Sequence, residues 1–118
     1  VVLGLDRRGA ALVRVTDSRA ALAEVGALYY GAPATELRMI GVTGTNGKST
    51  TTFLIHHLLR SMGVKAGLIG TIATYVGDEA VEASMTTPDA LDLHRLFRQM
   101  ADVGCTACVM EVSSHALV

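Results

Sequence analysis

Met39-Ile40-Gly41-Val42-Thr43-Gly44-Thr45-Asn46-Gly47-Lys48-Ser49-Thr50-Thr51-Thr52 carries the chain from a short apolar strand through a glycine turn into a lysine and four hydroxyl residues. A helical pattern follows. This is the order of parts in a phosphate-binding loop, and each part has a physical reason. Gly44 and Gly47 permit backbone angles that residues with side chains resist, so main-chain amides can close on an anion. The following helix points its free N–H groups and the positive end of its dipole at that anion. Lys48 adds a full positive charge, and Ser49 offers a hydroxyl to the Mg2+ that accompanies ATP. Five residues separate Gly41 from the Gly47-Lys48 pair, where the common pattern has four, and Val42 stands where that pattern wants glycine. The plainer alternative is a glycine turn between strand and helix, with Lys48 a solvated charge.

Working outward, residues 39–43 form the strand before the loop, and the helix from Ser49 to about Met62 presents Leu54, Ile55, Leu58, Leu59 and Met62 as an apolar stripe. His56 and His57 fall mid-helix with no ligand partner at i+3 or i+4, and read as surface or boundary residues. Lys65 to Gly70 reads as a second strand. A β-hairpin follows, with its turn at Gly77-Asp78. Thr87-Pro88-Asp89 starts a helix with Thr87 as cap and Pro88 as first residue. That helix runs to about Val103, with Leu93, Leu96, Phe97, Met100 and Val103 inward and His94 on its polar side. Thr106 to Val112 is a third strand, apolar enough for burial on both faces, with Glu111 near its end.

Upstream, residues 11–15 suit a strand, and Asp17 or Ser18 caps a helix to about Tyr30 with Ala21, Leu22, Val25, Leu28 and Tyr29 inward. Gly31 to Glu36 is a linker. One strand and one helix are too little for a domain, so residues 1–37 read as the tail of a preceding domain and residues 38–118 as the opening half of the next. Strands separated by helices imply an α/β fold with a parallel sheet and flanking helices. Ligands of such sheets bind at the carboxyl ends of the strands, where the phosphate loop, the Thr-Thr-Pro turn and Glu111 would gather.

The 118 residues carry a net charge of −1, which gives no basic signature for nucleic acid. No apolar run approaches the ~18 residues of a membrane span. Cys105 and Cys108 form a lone C-x-x-C without a second pair for zinc or a helix start for redox chemistry, so reduced, half-buried thiols in a cytoplasmic protein are expected. The absence of an initiator Met at Val1 and the stop at Val118 suggest a piece of a longer protein. Such a fragment is expected to turn nothing over by itself.

A carboxylate at the end of a buried strand is costly unless paired, and a facing Mg2+ offsets that cost. An Arg partner or a helix cap would do the same for Glu111. Gly44-Thr45-Asn46-Gly47-Lys48-Ser49 resembles the ATP loop of the Mur ligases, which share the five-residue spacing back to the earlier glycine. Met85-Thr86-Thr87-Pro88 and Glu111-Val112-Ser113-Ser114-His115-Ala116-Leu117 resemble the branch that adds the third residue of the peptidoglycan stem peptide to UDP-N-acetylmuramoyl-L-alanyl-D-glutamate. The resemblance covers about residues 10–118. It implies the end of an N-terminal uridine-nucleotide domain followed by the first half of a P-loop-type central ATPase domain. It further implies ATP and Mg2+ as cofactors, and UDP-MurNAc-dipeptide and an amino acid (diaminopimelate or lysine) as small-molecule partners. The sequence does not give the oligomeric state; a monomer is the default expectation.

By the same resemblance Gly44, Thr45, Asn46, Gly47, Lys48, Ser49 and Thr50 bind ATP, Ser49 and Glu111 hold the metal, and Lys48 and Glu111 are catalytic. Thr86, Thr87 and Ser113 touch the UDP substrate, although capping explains Thr87, and turn hydrogen bonding Ser113 and Ser114, equally well. Met85 departs from the Asn that some members place against the substrate. The implied chemistry is an acyl phosphate made from ATP and then attacked by an amine. Alternatives are another Mur ligase, folylpolyglutamate synthase or a P-loop NTP hydrolase; the last would need a base-recognition motif and a water-holding residue that these residues lack.

Overall fold

The computed structural model describes residues 2–5, 8–82 and 88–113. Its centre is a five-stranded sheet of order β3-β7-β4-β5-β6, built from β3 (Arg38–Val42), β4 (Ala66–Ile69), β5 (Thr74–Val76), β6 (Glu79–Val81) and β7 (Ala107–Glu111). β7 runs parallel to β3 and β4 on either side of it, whereas β5 and β6 add antiparallel strands beyond β4. The expected parallel sheet is thus mixed. The reason is local: a tight turn at residues 70–73, closed by Gly70 N–H donating to Ala73 O at 3.0 Å, and a second at Gly77-Asp78, with Gly77 at φ +64°, each return the chain at once, so no crossover helix can form at either.

Two helices sandwich the sheet, α2 (Lys48–Ser61) on one face and α3 (Ala90–Asp102) on the other. Strand alternation divides the core between them. Ile69, Val76 and Cys108 meet Leu96, Phe97 and Met100 of α3, while Tyr75 meets Phe53 and His56 of α2. Upstream, β1 (Val2–Leu5) and β2 (Ala11–Val13) form a separate antiparallel pair, followed by α1 (Ser18–Tyr29) and a 3-10 turn (Pro33–Glu36). The expectation of a single strand in this region is corrected: Val2–Leu5 pairs with Ala11–Val13. Three residues of alternation were too short to betray a partner. Asp17 caps α1 as expected, its Oδ1 accepting from the N–H groups of Arg19 at 3.0 Å and Ala20 at 3.2 Å.

Two apolar stripes read from periodicity face the core only in part: Ala21 on α1 and Ile55 and Leu59 on α2 are half-buried. On α1, Leu22, Val25, Leu28 and Tyr29 are exposed and the buried residue is Gly26. On α2, Leu54, Leu58 and Met62 are exposed, and Thr52 and His56 are buried instead. These two polar side chains can be buried because both are satisfied: the Thr52 hydroxyl donates to Ser49 O at 2.9 Å, and His56 Nε2–H donates to Ala66 O at 3.0 Å. His56 also stacks on Tyr75, at 5.8 Å between ring centroids. It is a core residue, not the surface or boundary residue expected.

α3 starts two residues later than expected, at Ala90. Asp89, not Thr87, is its cap, accepting from Asp92 N–H at 2.8 Å; Thr87 itself lies outside the described residues. Val103 is exposed, and His94 packs edge-on against Phe97 rather than lying on a polar face. No helix among the described residues is long and apolar enough to cross a membrane.

Both cysteines are free and fully buried, deeper than expected. Burial pushes the Cys108 thiol up from 9.0 to about 12, with a smaller contribution from Cys105. Burial likewise raises Cys105, against a Gly77 backbone hydrogen bond and the charge of Lys65. Because the folded pKa of Cys108 lies above the unfolded one, the stability it adds is complete below pH 9.0 and is lost as pH rises through about 12. Iodoacetamide at pH 8 is therefore expected to label neither thiol in the folded protein and both within minutes in guanidinium. Rapid labelling of the folded state would contradict this burial.

Candidate functional site

β3, β7 and β4 end together: Val42 pairs with Glu111, and Ile69 with Met110. This register brings the segments after β3 and β4 to the same carboxyl edge as Glu111. Between β3 and α2 the backbone turns through Gly44 (φ +144°) and Gly47 (φ +77°). A Cβ on Gly47 would meet nothing within 4 Å, so its left-handed angle, not lack of space, requires glycine there. Gly47 is also the cap of α2 and makes no side-chain capping bond. The first-turn amides therefore have no protein side chain capping them, which is the local chemistry of an anion cradle. Lys48 starts the helix and folds back over the loop, its Nζ donating to Gly44 O at 2.6 Å.

Glu111 faces this loop across the sheet edge. Ser49 Oγ donates to its Oε1 at 2.7 Å, and both the N–H of Thr71 and its hydroxyl, the latter at 3.1 Å, donate to Oε2. The Ser49 and Thr71 hydroxyls lie 3.4 Å apart. Burial alone would raise the Glu111 pKa. The three hydrogen bonds and the charge of Lys48 together outweigh it and hold the carboxyl below its ordinary value. Gly70 makes room for the cluster, since a Cβ there would come within 2.8 Å of Glu111 Oε2.

The donor set suits a small hard cation. Ser49, Thr71 and Glu111 converge oxygen atoms only, and no group of three or more His, Cys, Asp or Glu among the described residues could form an all-protein cage. One carboxylate and hydroxyls beside a phosphate cradle is the arrangement Mg2+ favours when phosphates supply its remaining ligands. The residues present therefore fit Mg2+, and Ser49 and Glu111 are the side chains that could hold it.

Of the residues singled out from the sequence, Gly44 to Thr50 and Glu111 come together at this edge. Ser113 is exposed two positions past Glu111. Thr86, Thr87 and Ser114 to Leu117 lie outside the described residues. Thr71 and Gly70 were missed. Their signal was their position: a Gly-Thr pair just beyond a strand that ends at the ligand edge, read only as the entrance to a hairpin.

A family model described as the Mur ligase middle domain matches residues 42–118. The UDP-N-acetylmuramoyl-L-alanyl-D-glutamate--2,6-diaminopimelate ligase of Alkaliphilus metalliredigens is 52% identical over 114 residues, covering 97% of this chain and 23% of that relative. The protein of the same name from Clostridium tetani is 52% identical over 105 residues, covering 89% of this chain and 22% of the relative. A solved structure of a UDP-N-acetylmuramoyl-L-alanyl-D-glutamate--2,6-diaminopimelate ligase superposes with a TM-score of 0.65 at 31% identity, covering 82% of this chain and 20% of that one. The chain thus spans less than a quarter of the length of the curated relatives it matches.

Proposed function

Because this chain belongs to the Mur ligase family, we propose that it is the nucleotide-binding portion of a ligase that joins 2,6-diaminopimelate to UDP-N-acetylmuramoyl-L-alanyl-D-glutamate at the expense of ATP. Residues 1–37 would close the preceding uridine-nucleotide domain, and residues 38–118 would open the central ATP-binding domain. The observation that carries this reading is the Ser49–Glu111–Thr71 cluster facing the Gly44–Lys48 loop. The names of the relatives support the choice of substrates.

In this reading the amides of the loop and the first turn of α2 hold the β- and γ-phosphates of ATP, with Thr45, Asn46 and Thr50 lining the same cradle. Lys48 turns its ammonium to the γ-phosphoryl oxygens and neutralises charge as the bond to ADP breaks. Ser49 and Glu111 would hold Mg2+, which when bound would add positive charge beside the leaving ADP. The Glu111 carboxylate is ready for this because its hydrogen bonds keep it ionised at neutral pH.

A carboxylate oxygen of the D-glutamyl side chain attacks the γ-phosphorus, ADP leaves, and an acyl phosphate results. The diaminopimelate amine then attacks the acyl carbon, phosphate departs, and the amine gives up a proton to form the amide. Thr86, Thr87 and Ser113 would contact the UDP substrate. No side chain of this segment has to act as nucleophile; its work is positioning and charge stabilisation.

The test is ligation by the full-length protein, with UDP-MurNAc-dipeptide, ATP and Mg2+ offered alongside either diaminopimelate or lysine. Stoichiometric ADP and amide with diaminopimelate are expected. Turnover with lysine alone would overturn the amino-acid assignment, and ATP hydrolysis without any amide would overturn the ligase reading.

A further inference from the structure

The segment joining α1 to β3 is held to α3 at three kinds of contact. The first is a close approach of helices. Gly26 is buried, and a Cβ on it would meet Leu91 Cδ1 at 3.2 Å and His94 Cδ2 at 3.3 Å. The second is apolar: Leu37 belongs to the core cluster with Leu96 and Phe97, and Ala34 packs against it. The third is Arg98, which reaches outward from α3. Its Nη1 donates to Tyr30 O at 3.2 Å and pairs with Glu36 Oε2 at 2.8 Å, while its Nε bonds Asp102 Oδ1 at 3.0 Å. One planar guanidinium thus spans the end of α1 and the 3-10 turn, with its plane steadied by a carboxylate one turn along its own helix. A lysine could not reproduce that fork.

The backbone between these contacts is unusual. Gly31 (φ +75°) is followed by Ala32 (φ +51°), the one non-glycine residue with positive φ among those described. An alanine there is strained and persists where the surroundings over-determine it. The surroundings do so: Ala32 N–H donates to Ala27 O at 2.6 Å, and Ala32 O accepts from the Thr35 hydroxyl at 2.7 Å and the Thr35 N–H at 3.1 Å. A sharp, fully bonded corner is clasped to α3 immediately before β3, whose far end carries the phosphate loop.

We propose that Arg98 is a positioning residue that clasps the α1–β3 connector to α3, and so sets the bearing of the upstream substrate-binding region on the ATP site. This rests on the functional reading above, in which the D-glutamyl carboxylate arrives from the upstream domain. In-line attack needs reacting atoms about 3–3.5 Å apart, and a 1 Å misplacement costs about 100-fold in rate. A small slip at the connector grows with distance across a domain. A solvent-screened ion pair adds little to folding, so the clasp should matter for geometry more than for stability.

Arg98→Met and Arg98→Lys in the full-length protein test this, together with Glu36→Gln, which removes one partner of the fork and leaves the other two. Arg98→Met is expected to lower kcat/KM for the UDP substrate about 10- to 100-fold while Mg-ATP affinity stays within about twofold. Amide hydrogen exchange across residues 31–37 should rise in that variant, with Arg98→Lys and Glu36→Gln between it and the wild type. Unchanged exchange and unchanged kinetics would overturn the proposal. So would a parallel loss of nucleotide affinity and melting temperature, the mark of a merely structural residue. If the wild-type protein ligates no UDP-dipeptide, the functional reading fails on that result alone. The exchange comparison then still decides whether Arg98 holds the connector.

Discussion

Lys48→Ala in the full-length protein is expected to slow acyl-phosphate formation by about 100- to 1,000-fold, with a much smaller loss of Mg-ATP affinity. The asymmetry follows from where charge develops. In the proposed reading the loop amides and the first turn of α2 would meet the phosphates in ground state and transition state alike. The ammonium of Lys48 is the one full positive charge the loop itself carries. It lies over the cradle, anchored on Gly44 O at 2.6 Å, and is free to exchange that carbonyl for a phosphoryl oxygen. Its contribution should rise as the γ-phosphoryl group separates from ADP. Glu111 cannot compensate, being a carboxylate. Trapping the acyl phosphate with hydroxylamine, in the absence of diaminopimelate, isolates this step from amide formation. Hydroxamate made at a near-normal rate by the alanine variant would remove Lys48 from the chemistry.

The phosphate loop and the carboxylate across from it were legible because their signals are local. Glycines at fixed offsets, a lysine at a helix start and an acid at the end of an apolar run each state a backbone requirement that tertiary context rarely overrides. Parallel strands then bring those ends to one edge. What failed was the assignment of helix faces. Leu54, Leu58 and Met62 repeat at helical spacing as well as any core stripe, yet the face that meets the sheet is the one carrying Thr52 and His56. Periodicity measures apolar spacing; it does not see that a buried histidine can be satisfied by the carbonyl of Ala66. Gly26 eluded the reading for a related reason. A glycine in mid-helix costs helix propensity, and only the packing partner, α3, explains its presence. Thr71 went unnoticed because its role depends on a residue 40 positions away. Its only hint was its place just past a strand that ends at the ligand edge, and that place also suits the opening of a hairpin.

Gly67→Val should strongly destabilise the core. Gly67 sits in β4 opposite Cys108 of β7, on the face that meets α3. A Cβ built there would collide with Met100, touching its Sδ, Cε and Cγ together. Met100 is fully buried, so its flexibility offers no exit without displacing Leu96, Phe97 or Ile69. Overpacking of this kind costs about 1–3 kcal/mol, and a β-branched side chain in a central strand belongs at the upper end. Met100→Ala alone leaves a cavity and costs about 2–5 kcal/mol. Together the two changes should partly cancel, because the valine fills space the methionine vacates, leaving the pair less destabilised than the sum by about 1–2 kcal/mol. Thermal melting of the full-length protein reads this, provided the transition followed is the one that Mg-ATP shifts upward, since binding marks the domain concerned. Strict additivity would mean that β4 and α3 do not meet at this point. The sheet would then have lost the helix that covers one of its faces, and Arg98 the platform from which it reaches the connector.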